Sequence, residues 1–260
     1  MSEPFVTVSK EDAIGFVTLN RPPANSYNAE FMQHLNAAID EVRADDGIKA
    51  VIVRSALERF FSAGADVKAF SSNSPAVNTE MVRYAHEVLV RIGRTPKIFI
   101  AAINGHALGG GLEIALACDL RFAGDGKFQL GLPEATLGLL PGNGGTQRLP
   151  RLIGKAKALD LMITGRTVGP QEALELGIVD RVFPADELVS ETRAYAEKLA
   201  NGATYAIGLI KLAVNEGMAG NLSAGLAFEL EGISQLFKSE DAREGFSAFL
   251  EKRKPAFKGR

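Results

Sequence analysis

The chain has 260 residues, 46% hydrophobic and 23% charged, which is the composition of a folded globular protein and excludes a disordered or low-complexity one. A formal net charge of −2, from 29 basic and 31 acidic residues, gives no global attraction to nucleic acid or an anionic membrane. The single cysteine, Cys118, excludes an intramolecular disulfide framework and fits a reducing compartment.

The N-terminal stretch Met1-Ser-Glu-Pro-Phe-Val-Thr-Val has neither a basic region followed by an apolar one nor the Arg-rich character of a transit peptide. No apolar run approaches the ~20 residues of a membrane span. A cytoplasmic protein, mature as written, is expected. Val6–Ser9 and Gly15–Leu19 read as strands. Asn20-Arg-Pro-Pro interrupts them, because Pro22 and Pro23 cannot donate to a ladder. A helix is predicted from about Asn28 to Ala44: Phe31, Leu35, Ala38, Ile39 and Val42 recur at helical spacing, and Asn28 is a suitable N-cap. Ala50–Arg54 reads as a strand buried on both faces. The turn Phe60–Lys68 and a loop over Ser71–Asn78 lead to a helix near Glu80–Gly93.

Lys97–Ile103 is another buried strand, followed by a helix over Leu112–Cys118 and a strand over Leu120–Ala123. This alternation predicts β-α-β units in a layered α/β core. Helical patterns dominate after about Pro150: Lys155–Ile163, Pro170–Leu176, Ala185–Ala200, Thr204–Gly217, Ser223–Phe237 and Asp241–Lys252, with one strand at Val179–Phe183. A basic tail closes the chain at Arg260.

Three motifs carry chemistry. Gly109-Gly110-Gly111 precedes a helix, so its backbone N–H groups can face a developing anion with no Cβ in the way. Alone, such a triplet is more often a tight turn. It fits neither a dinucleotide-binding pattern nor a P-loop, since Gly144-Gly145-Thr146 lacks the lysine. Glu113 lies in the first turn after the glycines, and Glu134 follows Pro133 at another helix start. Each acid alone is a common helix N-terminal residue. A buried carboxylate pair can hold two protonation states around one water, the requirement of general acid–base chemistry. Ser62-Ala-Gly-Ala-Asp66 permits close backbone approach, with Asp66 as a cap.

Other candidates are weaker. His34 and His86 sit in predicted helices, His106 lies near the glycines without a triad partner, and Cys118 reads as a core side chain. No His/Cys/Asp cluster has metal-ligand spacing, so no metal is expected.

The segments Phe61–Lys68 (FSAGADVK), Asn104–Asp119 (NGHALGGGLEIALACD), Leu130–Gly154 and Ala173–Val182 resemble the crotonase superfamily, and within it enoyl-CoA hydratases, essentially end to end. The resemblance implies an α/β fold: a spiral of β-α-β units over 1–198 and a helical C-terminal oligomerisation region over 199–260, assembled as a homotrimer or hexamer. It implies an acyl-CoA thioester substrate, with coenzyme A part of that substrate and no separate cofactor. It places the oxyanion donors at the backbone N–H groups of Ala65 and Gly110 and the catalytic acids at Glu113 and Glu134. Ala24, Ala63, Asp66, Val67, Lys68 and Pro133 fall at substrate contacts. Phe257 falls where a neighbouring subunit closes the site. The implied reaction is hydration of a 2-enoyl-CoA; isomerisation, another reaction on CoA thioesters, or a non-catalytic CoA- or RNA-binding role are the alternatives. Asn143 stands where alanine is usual, Asn25-Ser26-Tyr27-Asn28 replaces a more apolar Asn-Ala-Leu, and the turn at Asp125-Gly126-Lys127 is one residue longer than in similar members.

Overall fold

The structure, a computed structural model, describes residues 3–260; Met1 and Ser2, the start of the N-terminal stretch read above, lie outside the described residues. β1 (Val6–Glu11) and β2 (Ile14–Leu19) form an antiparallel hairpin. α1 (Ala29–Ala44) follows, its N-cap Asn28 accepting from the Phe31 N–H. Phe31, Leu35, Ala38, Ile39 and Val42 form its buried stripe, the positions a 3.6-residue period selects. β3 (Ala50–Ser55) then lies parallel to β2, with its four apolar residues buried.

From here the chain repeats a turn. β3 is followed directly by β4 (Phe60–Ser62); α2 (Val67–Ser72) and α3 (Pro75–Gly93) then lead to β5 (Ile98–Ile103) and at once β6 (His106–Leu108); α4 (Gly110–Ala117) leads to β7 (Leu120–Gly124) and β8 (Leu130–Gly131). The first strand of each pair joins a six-stranded sheet in the order β1-β2-β3-β5-β7, completed by β9 (Arg181–Phe183). The second joins a three-stranded parallel sheet, order β4-β6-β8. Beyond the first hairpin every pairing in the larger sheet is parallel. The expected β-α-β spiral is therefore present, since parallel neighbours require crossovers.

A 3-10 helix over Glu134–Leu137 ends the third turn. α5 (Gly145–Ile153), α6 (Lys155–Thr164), α7 (Pro170–Leu176), α8 (Leu188–Ala200), α9 (Thr204–Ala219), α10 (Leu222–Leu236) and α11 (Glu240–Glu251) follow. The larger sheet separates two apolar layers. Val17, Val53, Ala101 and Ala123 face the main core with α1, α3 and α4. Phe16, Ile52, Ile100 and Phe122, one residue away along each strand, face Leu188 and Ala196 of α8.

Several boundaries differ from the sequence reading. α3 starts at Pro75, capped by Ser74 and with proline in its first turn, so the loop there is shorter. β4, β6 and β8 have two or three residues each, too few to show a period-2 pattern. α5 carries Pro150 in its interior, which hides it from a periodicity search. α8 begins at Leu188 instead of Ala185, and β9 at Arg181 instead of Val179.

Candidate active site

Three loops leave the carboxyl ends of β4, β6 and β8 side by side, the end at which open parallel sheets place their ligands. The first, Ala63-Gly64-Ala65-Asp66, is held by the chain before α1. The Ala63 N–H donates to Ala24 O at 2.9 Å, Tyr27 N–H to Gly64 O at 2.8 Å, and Asp66 N–H to Tyr27 O at 2.9 Å. Gly64 has φ 87, and a Cβ there would fall 2.7 Å from Leu108 O and 3.0 Å from Gly110 N. Only glycine lets this turn press against the second loop. In that loop Gly109, φ 53, donates to Gly131 O at 2.9 Å, and Gly110 opens α4. Neither the Ala65 nor the Gly110 N–H donates to any group among the described residues. Two free donors therefore stand next to one another, one with the partial positive charge of a helix N-terminus behind it.

Glu113, one turn into α4, is 1% exposed. Its Oε1 accepts from the Asn143 and Gly145 N–H groups, each at 2.7 Å. Burial raises its pKa above the ordinary carboxylate range, while those two N–H groups and Arg148 pull the other way. Glu134 starts the 3-10 helix, and its Oε2 is buried without a partner among the described residues. Burial first, and then the charge on Glu113, pushes Glu134 up to about 7. Its Oε1 lies 2.9 Å from where a Cβ on Gly109 would stand. The two acids and the two N–H donors are thus brought together, with the pKa of each acid raised chiefly by burial.

The remaining sequence-selected residues divide into two groups. Ala24 and Ala63 are hydrogen-bonded neighbours at the first loop. Asp66 caps α2 and is ion-paired with Arg21 at 2.9 Å, which holds its carboxyl below the usual range. Val67 and Lys68 are exposed on α2, and Pro133 is half-buried directly before Glu134. Phe257 stands apart from the acids, with its ring over Gly245 of α11, while the tail beyond it is held by Asp241 through the Lys258 and Gly259 N–H groups. His106 accepts from the Gln129 N–H at 3.1 Å, a bond within the sheet region. Cys118 is a buried core residue.

Sequence reasoning missed three contributors. Asn25, fully buried with φ 51, donates to Phe61 O at 2.9 Å and Ser55 Oγ at 2.8 Å, so it anchors the first loop. Arg148 donates to Asn143 O at 2.8 Å. Tyr27, noted only as a departure in sequence, is 3% exposed, and Asn143 Nδ2 donates to its hydroxyl at 2.5 Å. The one available signal was asparagine after a Pro-Pro-Ala turn, a residue suited to positive φ.

The family model described as enoyl-CoA hydratase/isomerase matches residues 9–260. The chain belongs to the enoyl-CoA hydratase/isomerase family. It is similar to an enoyl-CoA hydratase structure from Geobacillus kaustophilus HTA426, with TM-score 0.97 and 52% identity, covering 100% of this chain and 98% of that one. A Bacillus anthracis enoyl-CoA hydratase structure gives TM-score 0.93 at 37% identity, covering 98% and 100%. Among curated relatives, a short-chain-enoyl-CoA hydratase of Clostridium acetobutylicum is 38% identical over 257 residues, 98% of each chain. The expected crotonase-type α/β fold is therefore the fold of the enoyl-CoA hydratase/isomerase family. No helix among the described residues is long and apolar enough to cross a membrane.

Proposed function

We propose that the chain is an enoyl-CoA hydratase, adding water reversibly across the 2,3 double bond of a 2-enoyl-CoA thioester. The observation that carries the reading is the buried Glu113 and the half-buried Glu134, whose Oε2 is buried, both with raised pKa values, beside the free N–H groups of Ala65 and Gly110. The thioester carbonyl oxygen accepts from those two N–H groups. Water oxygen bonds to C3 as Glu113 takes one of its protons. The C2–C3 π electrons move toward the carbonyl, giving an enolate whose negative oxygen the two donors stabilise. Glu134, protonated, then delivers its proton to C2. Removing one such donor typically costs about 2.7–4 kcal/mol of barrier, so the pair accounts for a large part of the acceleration.

Protonation at C2 and activation of water are two tasks, which favours a hydratase over an isomerase that moves one proton with one base. Ala24, Ala63, Asp66, Val67, Lys68 and Pro133 are assigned to the coenzyme A moiety and thioester, and Phe257 to closure of a neighbouring subunit's site. Coenzyme A enters as part of the substrate, and the reaction uses no further cofactor and no metal. A cytoplasmic location and a trimer or hexamer complete the reading. In support of assembly, α9 and α10 expose Ile210, Val214, Met218, Leu226 and Ile233 along an apolar groove of about 490 Å³.

The test is incubation with crotonyl-CoA, following loss of the enoyl-thioester absorbance, with Glu134→Gln as control. Turnover by the wild type that Glu134→Gln abolishes, while CoA-thioester binding survives, is the expected result. Near-wild-type turnover in Glu134→Gln would overturn the assigned mechanism.

A further inference from the structure

Two side chains that this mechanism leaves unused meet beside it. Asn143 is fully buried. Its side-chain N–H donates to the Tyr27 hydroxyl at 2.5 Å across 116 residues of sequence. Its backbone N–H donates to Glu113 Oε1 at 2.7 Å, and its carbonyl accepts from Arg148 at 2.8 Å. Its Oδ1 is buried with no donor among the described residues. Tyr27 in turn is gripped through its backbone by Gly64 and Asp66, one residue either side of Ala65. Its ring lies so close to Gly110 that a Cβ there would collide with Cε1 and stand 3.0 Å from the hydroxyl oxygen. Tyr27 therefore touches the Ala65 turn with its backbone and Gly110 with its ring. Through Asn143 it also reaches the loop that holds Glu113.

A buried amide with an unmatched oxygen is a costly filler, since an apolar residue would leave no orphan. What the amide does achieve is to tie the 141–145 loop to the residue that already registers both oxyanion donors. We propose that Tyr27 and Asn143 are a positioning pair: their hydrogen bond fixes the Asn143 backbone N–H, and with it the Glu113 carboxylate, relative to the Ala65 and Gly110 donors. This rests on the hydratase reading and adds what sets the spacing between the base and the oxyanion. Burial, reinforced by the Glu113 charge, raises the Tyr27 pKa, so the phenol stays neutral and keeps its role as acceptor. Displacement of a reacting group by 1 Å can reduce rate about a hundred-fold, so such a brace has kinetic consequences.

The experiment compares Tyr27→Phe, Asn143→Ala and the double variant in two measurements. One is steady-state hydration of crotonyl-CoA. The other is a carbon-13 NMR titration of the Glu113 carboxylate, which needs no turnover. Glu113 is faced by the Asn143 and Gly145 N–H groups, Arg148 of α5, the Tyr27 phenol and Glu134. Tyr27→Phe keeps the ring and leaves the amide without its partner. We expect kcat to fall by up to about a hundred-fold with KM nearly unchanged. Glu113 should titrate at higher pH, because a loosened N–H donor stabilises its carboxylate less. The double variant should be about as slow as Tyr27→Phe alone, since either change already removes the one hydrogen bond that couples the two side chains. Unchanged kcat and Glu113 titration in Tyr27→Phe would reduce the pair to passive packing. A double variant slowed by the product of the two single effects would mean the two side chains act independently, which also overturns the proposal. If the wild type fails to hydrate crotonyl-CoA, the hydratase reading falls, and the Glu113 titration still decides the pair. Circular dichroism of each variant identifies any that fails to fold, and Tyr27→Phe alone then carries the comparison.

Discussion

The backbone N–H of Gly145 stands 2.7 Å from Glu113 Oε1, 32 residues back along the chain. A Cβ on Gly145 would fall 3.0 Å from that oxygen, 2.8 Å from Leu132 and 2.9 Å from Pro141. Glycine at this position is what lets a helix start reach a buried carboxylate. Gly145→Ala is expected to destabilise the protein by about 1–3 kcal/mol through overpacking. It should also lower turnover as the carboxylate is displaced. Denaturant melts alongside crotonyl-CoA kinetics check both, and a variant equal to wild type in each would show that the loop yields freely.

Glu113→Gln keeps an oxygen for the two N–H donors and removes the group that takes the water proton. Its kcat should drop by about 10²–10⁴-fold, the usual contribution of a general base, with KM little changed.

The pH dependence follows from the shared proton. Hydration needs Glu113 ionised and Glu134 protonated, one proton on the pair in total. Burial pushes Glu134 up to about 7, so kcat/KM should decline as pH rises past about 7. Glu113 is also raised by burial, so the acidic limb should lie above the ordinary carboxylate range. The dehydration direction uses the same total protonation and should trace the same bell-shaped profile. A rate flat from pH 5 to 9 would contradict the assignment.

Stability should show the same group with a defined sign. Glu134 has a folded-state pKa above its unfolded value, so the folded state binds its proton more tightly. That contribution is complete below the unfolded pKa and is lost as pH climbs through about 7. Glu134→Gln should therefore raise Tm relative to wild type at pH 8 more than at pH 5. Equal differences at the two pH values would argue that the carboxylate is solvated.

Assembly is testable at α10. Leu226 and Leu230 are 52% and 70% exposed in the single chain. Leu230→Glu should shift the sedimentation coefficient toward that of a monomer, because a charge is costly to bury in an apolar interface. An unchanged coefficient would place the interface elsewhere.

Much of the site is legible in the residues themselves. Glu113 and Glu134 stand out as acids at helix starts, and the Gly109–Gly111 run as exposed backbone, because both signals are local. The crotonase resemblance then assigned Ala65 and Gly110. The short strands β4, β6 and β8, whose ends carry all three loops, left no pattern, since two or three residues cannot show a period. The role of Asn25 was hidden because its partner Phe61 lies 36 residues away in sequence.

By itself the sequence determined the alternation of strands and helices, the stripe of α1, the glycine turns and the placing of two acids at helix starts. These depend on periodicity, capping and the absence of a Cβ, which act over a few residues. Only the tertiary structure decided that Tyr27 meets Asn143 across 116 residues and that Glu113 is gripped by a loop 30 and 32 residues ahead. Those contacts exist because the two sheets stack their successive turns in register, and a hydrogen bond between such positions is a property of that packing.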